Sequence, residues 1–417
     1  MEPQSPVHSA EQIAALDAAD PLASFRERFV LPHGVTYLDG NSLGALPRGT
    51  AERVREVLES EWGTGLIRSW NDADWINAPQ RVGAKIARLI DAGPHEVVVA
   101  DSTSVNLHKL IVAALSARPD RHTVVSEPGN FPTDLYMVET ALATLGGGRR
   151  LVLSPRDEIV NRITDDTALV LLTHVHYKTA DVHDMAAVTA AAHAKGALVL
   201  WDLSHSAGAV PVALGACRAD LAVGCGYKFL NGGPGAPAFL YVAERHHDTL
   251  VSPLGGWMGH ARPFAFEDHY QPSPGITRFL CGTPPIVAVA ALECGVDLHL
   301  EADMQAVADK SRALADLFIH LVQRRCADHG VTLVGPAPGA PRGSHVSFRH
   351  PEGYAIMQAL IDRGVIGDFR APDIMRFGLT PLYLRYADVA HAVDVLEEVL
   401  RTDAWRAPVY QTRHAVT

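Results

Sequence analysis

DLAVGCGYKFLNGGPGAP, residues 220–237, decides how the chain is built. Its first part is apolar at nearly every position, and a loop rich in Gly and Pro follows directly. A short run apolar on both faces reads as a strand covered on both sides, as in a mostly parallel sheet. Working outward, runs of the same kind recur at EVVVA (96–100), HTVVS (122–126), ALVLLTHV (168–175), ALVLW (197–201) and AFLYV (238–242). Helical patterns lie between them, at Ser104–Leu115 and at DMAAVTAAAHAKG (184–196), which a glycine closes at the C-cap position. The alternation predicts an α/β domain whose ligands sit at the carboxyl edge of the sheet. From about residue 286 the pattern changes to long helices (286–328, interrupted, and 387–401) and shorter strands such as GSHVSFRH (343–350). Residues 11–30 and 49–61 also read as helical. The expected division is a large α/β domain over 60–285 and a smaller α+β domain built from both chain ends, 1–59 and 286–417.

The 417 residues allow a sizeable core and two domains. A formal net charge of −11, with arginines scattered rather than clustered, argues against nucleic acid or an anionic membrane as partner. The N-terminal stretch is acidic and lacks the pattern of a secretory signal, and no apolar stretch approaches the roughly 20 residues of a spanning helix. Five cysteines without CxxC spacing suggest neither a disulfide framework nor a zinc site, and a reduced cytoplasmic setting is expected.

Lysine is scarce: positions 85, 109, 178, 195, 228 and 310. Lys85, Lys109, Lys195 and Lys310 fall in helical patterns with polar neighbours and read as solvated. Lys178, in HVHYKT, is a candidate loop residue of a site. Lys228 stands just past a buried strand, where an amine projects from the carboxyl edge of the sheet among apolar neighbours that favour its nucleophilic form. An ordinary surface lysine is the competing reading, and the partners along the chain weigh against it. Pyridoxal 5′-phosphate (PLP) needs an amine for its aldehyde, an anion for its pyridine nitrogen, donors for its phosphate and a ring to stack on. Asp202, which follows the run ALVLW at once, offers the anion, although a helix cap is a common alternative role. Ser102, Thr103 and Ser104, where a helix begins, offer phosphate donors, and an ordinary cap is equally consistent with them alone. Phe131 in GNFPTD offers the ring, where plain packing is the usual role of a lone aromatic. Each signal is moderate; their order along one α/β domain is strong.

Beyond these residues, the chain resembles the kynureninases, PLP enzymes of fold-type I (aspartate aminotransferase-like) related to class V aminotransferases. The resemblance rests on YLDGNSLG (37–44), WGTGLIRSWN, TSVNLH, FPTD, WDLSHSAGAVP, GCGYKFLNGGPG, GWMGH, CGTPPI and MRFGLTPLY. It implies that Lys228 carries the cofactor as a Schiff base and removes the substrate's α-proton, while Asp202 pairs with the pyridine nitrogen. It further implies cofactor contacts from Thr103, Ser104, Phe131, Pro132, Thr133, Asp134, Thr173 and His205. Tyr227 would hydrogen-bond the phosphate and relay a proton. Trp257 and Thr283 would enter the site from the other subunit of a homodimer. Arg376 would clamp the substrate's α-carboxylate with its planar fork, and Asn41 and Ser42 would shape the substrate pocket. Position 283 is Thr where animal members carry Asn, so their preference for a 3-hydroxylated substrate is not carried over. The reaction implied is hydrolytic Cβ–Cγ cleavage of L-kynurenine, or a ring-substituted analogue, to anthranilate and L-alanine in kynurenine catabolism.

Three other readings stay open on the sequence. A cysteine desulfurase or selenocysteine lyase would need a nucleophilic cysteine on a mobile loop, and neither Cys281 nor Cys326 stands in a compelling position. A non-catalytic PLP-fold binding protein lacks support from any appended DNA-binding region. A metal hydrolase could start from His174, His176 and His183, but their spacing is not HExxH.

Overall fold

The computed structural model describes residues 9–414. The apolar runs form strands β1 (Val97–Val99), β2 (Thr123–Ser126), β4 (Thr167–Thr173), β5 (Leu198–Asp202), β6 (Leu221–Cys225) and β7 (Ala238–Val242), and β3 (Arg150–Leu153) joins them at one edge. They make a seven-stranded sheet in the order β1-β7-β6-β5-β4-β2-β3. Strands β2 to β6 are parallel, whereas β7 pairs antiparallel with both β6 and β1. Every residue of β4, β5, β6 and β7 is buried, because helices cover both faces, among them α1 (Thr103–Ser116), α2 (Pro132–Leu145) and α3 (Met185–Ala194). Trp201 of β5 is fully buried on one face, and Leu198 and Leu200 are buried on the other. Each such side chain contributes roughly 1.5–3 kcal/mol of burial energy. The chain has the α/β architecture expected from the alternation of runs, with a mostly parallel sheet.

A second sheet, with strands β8 (Thr332–Val334), β9 (His345–Arg349), β10 (Asp368–Arg370) and β11 (Ile374–Gly378), is antiparallel in the order β8-β9-β11-β10. The rings of Phe318, Phe348 and Phe377 meet beneath it at 5.0–6.4 Å between centroids, where helices α5 (Met304–Arg325) and α6 (Tyr386–Arg401) add to the same core. Leu22, Phe29 and Leu38 from the N-terminal part join it. Helix α4 (Ile286–Leu300) instead packs Val289, Leu292 and Val296 with Trp201 and the helix Ala78–Leu89.

Two helical expectations are corrected. The stretch 11–30 holds an α-helix over Ala10–Ala18, and a 3-10 turn follows at Ala23–Arg28. Pro21 cannot continue a helix, having no N–H and a ring that clashes with the preceding turn. The stretch 49–61 is α-helical only over Thr50–Glu56, then widens to a π-helix over Val57–Gly65. Gly63 and Gly65 weaken the tighter form there, and Leu66 ends it with φ +53°.

Candidate active site

The parallel register sets two functional side chains next to each other. Thr173, the last residue of β4, lies opposite Asp202, the last residue of β5. Lys228 follows β6 by three residues, beyond Gly226. Helix α1 starts at the same edge, where Ser102 Oγ accepts the Val105 N–H at 3.3 Å and leaves Thr103 and Ser104 in the first turn. Phe131 precedes Pro132 at the start of α2, and Asp134, itself buried, falls in that helix's first turn. These elements enclose a pocket of about 300 Å³ lined by Ser102, Thr103, Ser104, Phe131, Thr133, Asp134, Thr173, Asp202, Ser204, His205, Tyr227 and Lys228. The local sequence signals thus meet in one place.

Inside the pocket, Lys228 Nζ lies 3.1 Å from His205 Nε2 and 5.7 Å from the centroid of the Phe131 ring. Burial first, and the charge of Lys228 second, hold His205 well below the usual imidazole range, so its ring is neutral. Asp202 Oδ1 accepts the Ser204 N–H at 2.8 Å. Thr173 Oγ1 donates to Asp134 Oδ2 at 3.1 Å and also engages Asn130 Oδ1. Burial pushes both carboxyls up, and the charge of Asp202 raises Asp134 further. Burial likewise pushes the Tyr227 hydroxyl up, so it keeps its proton.

PLP fits this donor set. Two buried carboxyls face the cavity, and Asp134 Oδ1 and His205 Nδ1 are buried without a partner. Such groups call for a hydrogen-bonding ligand between them. The first turn of α1 supplies N–H groups and hydroxyls for a phosphate, and Phe131 supplies a ring face.

Other expected residues lie elsewhere. Pro132 opens α2 but does not line the pocket. Lys178, expected as a loop residue of the site, instead donates to the Ala371 carbonyl at 3.2 Å over the Tyr177 ring, outside the pocket. Trp257 is 38% exposed, and Thr283 is exposed beside a separate hollow with Cys281. Arg376 of β11, Asn41 and Ser42 form a neighbouring cluster. There Arg376 Nη1 donates to the Tyr177 carbonyl at 2.7 Å and Nη2 to Ser42 Oγ at 2.9 Å. Asn41 Oδ1, with its amide turned to accept, lies 2.9 Å from Arg376 Nε. The sequence reading missed Asp368 and Arg370, which tie this cluster together, and Asp39 beside it.

The histidines considered for a metal have separate partners. His174 Nδ1 meets Ser206 Oγ at 2.9 Å, His176 Nε2 meets the Gly129 carbonyl at 2.9 Å, and His183 Nε2 meets Glu127 Oε1 at 3.0 Å. Cys326 is fully buried at the end of α5, and burial pushes its thiol up to about 12, which does not suit a persulfide carrier.

The loop YLDGNSLG reaches this site through a close approach. The Gly44 N–H donates to the Tyr227 carbonyl at 2.8 Å, and a Cβ on Gly44 would overlap the Lys228 carbonyl and lie 2.7 Å from Asn231 Cα. Gly44→Ala must therefore push the loop off the lysine segment, at a cost of about 1–3 kcal/mol. The expected result is a lower urea midpoint and weaker PLP retention on dialysis. An unchanged PLP content would refute the link between this contact and the pocket.

Asp39 adds a pH dependence. Burial, then the charge of Asp368, push its carboxyl up to about 7 from an ordinary 3.8. Because its folded pKa is raised, the folded chain binds more protons than the unfolded one across that range. Stability therefore declines as pH rises from about 4 to 7 and stays lowered above it. Asp39→Asn should remove this loss, so its urea midpoint should gain on the wild type's between pH 4 and pH 8. A difference between the two midpoints that is constant with pH would contradict it.

Comparison with known proteins follows the same lines. A family profile described as the kynureninase C-terminal domain matches residues 307–396. The kynureninase of Pseudomonas fluorescens is 54% identical over 409 residues, covering 97% of this chain and 98% of that protein. The kynureninase of Burkholderia mallei (strain SAVP1) is 53% identical, covering 98% and 99%. Among solved structures, a cysteine desulfurase from Escherichia coli superposes with a TM-score of 0.77 at 19% identity, covering 91% of this chain and 98% of its own. The cystine C–S lyase C-DES, in complex with its product cysteine persulfide, gives 0.75 at 17% identity, covering 88% and 98%. At these identities the two structures speak for the fold alone.

Proposed function

The chain belongs to the kynureninase family, and from that premise we infer how its pocket hydrolyses the Cβ–Cγ bond of L-kynurenine to anthranilate and L-alanine with PLP as cofactor. The observation that carries the assignment of roles is Lys228, set beside His205 and Phe131 in the pocket that Asp202 closes. When bound, PLP supplies an aldehyde for amines and a ring that withdraws electron density from the substrate's carbons.

The chain's own residues do the rest. Lys228 Nζ holds the cofactor between turnovers and, once the substrate amine has taken its place, removes the proton from Cα. Asp202 keeps a proton on the ring nitrogen. Phe131 covers a ring face, His205 lies beside the ring, and Asp134 and Thr173 meet its polar edge. Thr103, Ser104, Thr133 and the first turn of α1 hold the phosphate, with Pro132 fixing the start of α2. Arg376 binds the α-carboxylate, and Asn41 and Ser42 shape the space around it. Water adds to the γ-carbonyl, the Cβ–Cγ bond breaks with its electron pair on Cβ, the hydroxyl of Tyr227 supplies the proton there and is reprotonated by the proton that the added water gives up, and Lys228 returns a proton to Cα as alanine leaves.

The working unit proposed is a homodimer in which Trp257 and Thr283 serve the other subunit's pocket. In support, Trp257 stands edge-on to Phe264 at 5.8 Å on an exposed loop, where Phe266 is 82% exposed. A cytoplasmic location is likewise proposed, in keeping with five free cysteines. So is the division into 60–285 and the paired ends 1–59 and 286–417, with α4 as the connection.

The test mixes the purified protein, PLP and L-kynurenine, following anthranilate fluorescence and assaying alanine. Equal amounts of both products are expected. Sulfide release from cysteine without anthranilate would replace the reading with desulfuration.

A further inference from the structure

The clamp assigned to Arg376 does not stand alone. Asp368 of β10 lies directly across from it in the antiparallel pairing of β10 with β11, and both are nearly fully buried. Arg376 Nε donates to Asp368 Oδ1 at 2.9 Å, and Nη2 engages Asp368 Oδ2. That two-point contact occupies one edge of the guanidinium plane and fixes its tilt. The same Oδ2 accepts Arg370 Nη2 at 2.6 Å, and Ser42 Oγ lies 2.8 Å from Asp368, 2.9 Å from Arg376 and 3.2 Å from Arg370. Two guanidinium groups therefore converge on one carboxylate and one hydroxyl. Arg370 lies close enough to the pocket for its charge to act on both His205 and Tyr227.

The donor inventory then decides which edge is left for a ligand. A guanidinium has five N–H groups. On Arg376, the Nε hydrogen is shared between Asp368 and Asn41, one Nη2 hydrogen goes to Asp368, the other Nη2 hydrogen to Ser42, and one Nη1 hydrogen to Tyr177. That leaves one Nη1 hydrogen for a carboxylate, and Nη2 becomes available to it when the rotatable Ser42 hydroxyl turns away.

Resting on the assignment of Arg376 to the substrate's α-carboxylate, we propose that Asp368 is a positioning residue that ties Arg376 to Arg370 and presents them to that carboxylate as a pair. Two opposite effects could follow from removing Asp368. Losing its negative charge would make the site more attractive to a carboxylate, whereas losing the two-point contact lets Arg376 swing away. The buried contact wins, because orientation matters most for a planar fork.

The experiment uses the PLP-loaded enzyme with two probes: L-kynurenine, and the amine that differs from it only in lacking the carboxylate. In Asp368→Asn, KM for L-kynurenine should rise by about tenfold or more with kcat within about threefold. Affinity for the decarboxylated amine, read by displacement of the cofactor's visible absorption, should not change. Arg370→Gln, at a partly exposed side chain, keeps the test open if the buried variant fails to fold, and should raise KM severalfold with the same selectivity. An unchanged or lower KM in Asp368→Asn, or equal losses for both probes, would overturn the proposal. So would an unchanged KM in Arg370→Gln. Arg376→Met separates the two readings: if its KM is unchanged, the clamp assignment itself fails. If KM rises there but in neither other variant, only the role of Asp368 and Arg370 is lost.

Discussion

Lys228→Ala loses turnover: kcat for L-kynurenine should fall by about 10⁴-fold or more, because one substitution removes both the amine that holds the cofactor and the base that takes the α-proton. The pocket itself should survive. Among the described residues the Lys228 side chain makes one polar contact, to His205 Nε2 at 3.1 Å, and removing it leaves the strand ends and the first turns of α1 and α2 in place. PLP should therefore still bind through its phosphate and ring contacts, but without a covalent link. Borohydride treatment followed by intact-mass measurement reads this directly: the wild type should gain the mass of reduced cofactor, and the variant should not. Added methylamine should restore some turnover by supplying a small free base. A variant that turns over normally, or that is still labelled at another lysine, would move the role elsewhere. Lys178 is the obvious alternative, but its Nζ is committed to the Ala371 carbonyl outside the pocket.

How much of this was readable in the sequence depends on distance along the chain. Asp202 and Lys228 each stand just beyond the end of an apolar run, and the parallel register sets them beside Thr173, which the family resemblance supplied. A local signal therefore predicts a global position. The hydroxyls at Ser102–Ser104 and the FPTD turn are local in the same sense, since each opens a helix. The cluster around Arg376 is not. Asp39, Asp368, Arg370 and Arg376 come together only because Thr36–Tyr37 pairs in parallel with Val365–Ile366 and β10 folds back on β11. Nothing around DFRAPDIMRF marks which acid will meet which arginine, so Arg376 was found through family resemblance and Asp368 was missed. The edge strand β3 was missed for another reason: its residues are half-buried or exposed, so it lacks the apolar run that marks its neighbours. The helix read over 11–30 failed where Pro21 overrode a favourable composition.

Asp202→Asn is the second large loss expected, about 10²–10³-fold in kcat. The substitution keeps size and hydrogen-bonding capacity, and the Ser204 N–H that reaches Oδ1 at 2.8 Å still has an acceptor. What disappears is the negative charge, and with it the hold on a proton at the cofactor's ring nitrogen. Without that proton the ring withdraws electron density from the substrate's α-carbon less strongly, so proton removal by Lys228 slows. The α-deuterated substrate should then show a larger isotope effect on kcat than in the wild type. One side effect runs the other way. Asp134 is pushed up by burial and then by the charge of Asp202, so removing that charge lets Asp134 ionise more readily and partly offsets the loss in PLP binding. The contrast is Asp220, a buried carboxylate at the opposite end of β6. His193 Nε2 lies 2.9 Å from it, His246 Nε2 2.8 Å and Arg245 Nη2 2.7 Å. Asp220→Asn should lower the thermal midpoint yet leave kcat within about twofold, since that carboxylate lies away from the pocket. If Asp202→Asn behaves like Asp220→Asn, with stability down and kcat kept, the carboxylate at the end of β5 is structural and the ring nitrogen has another partner.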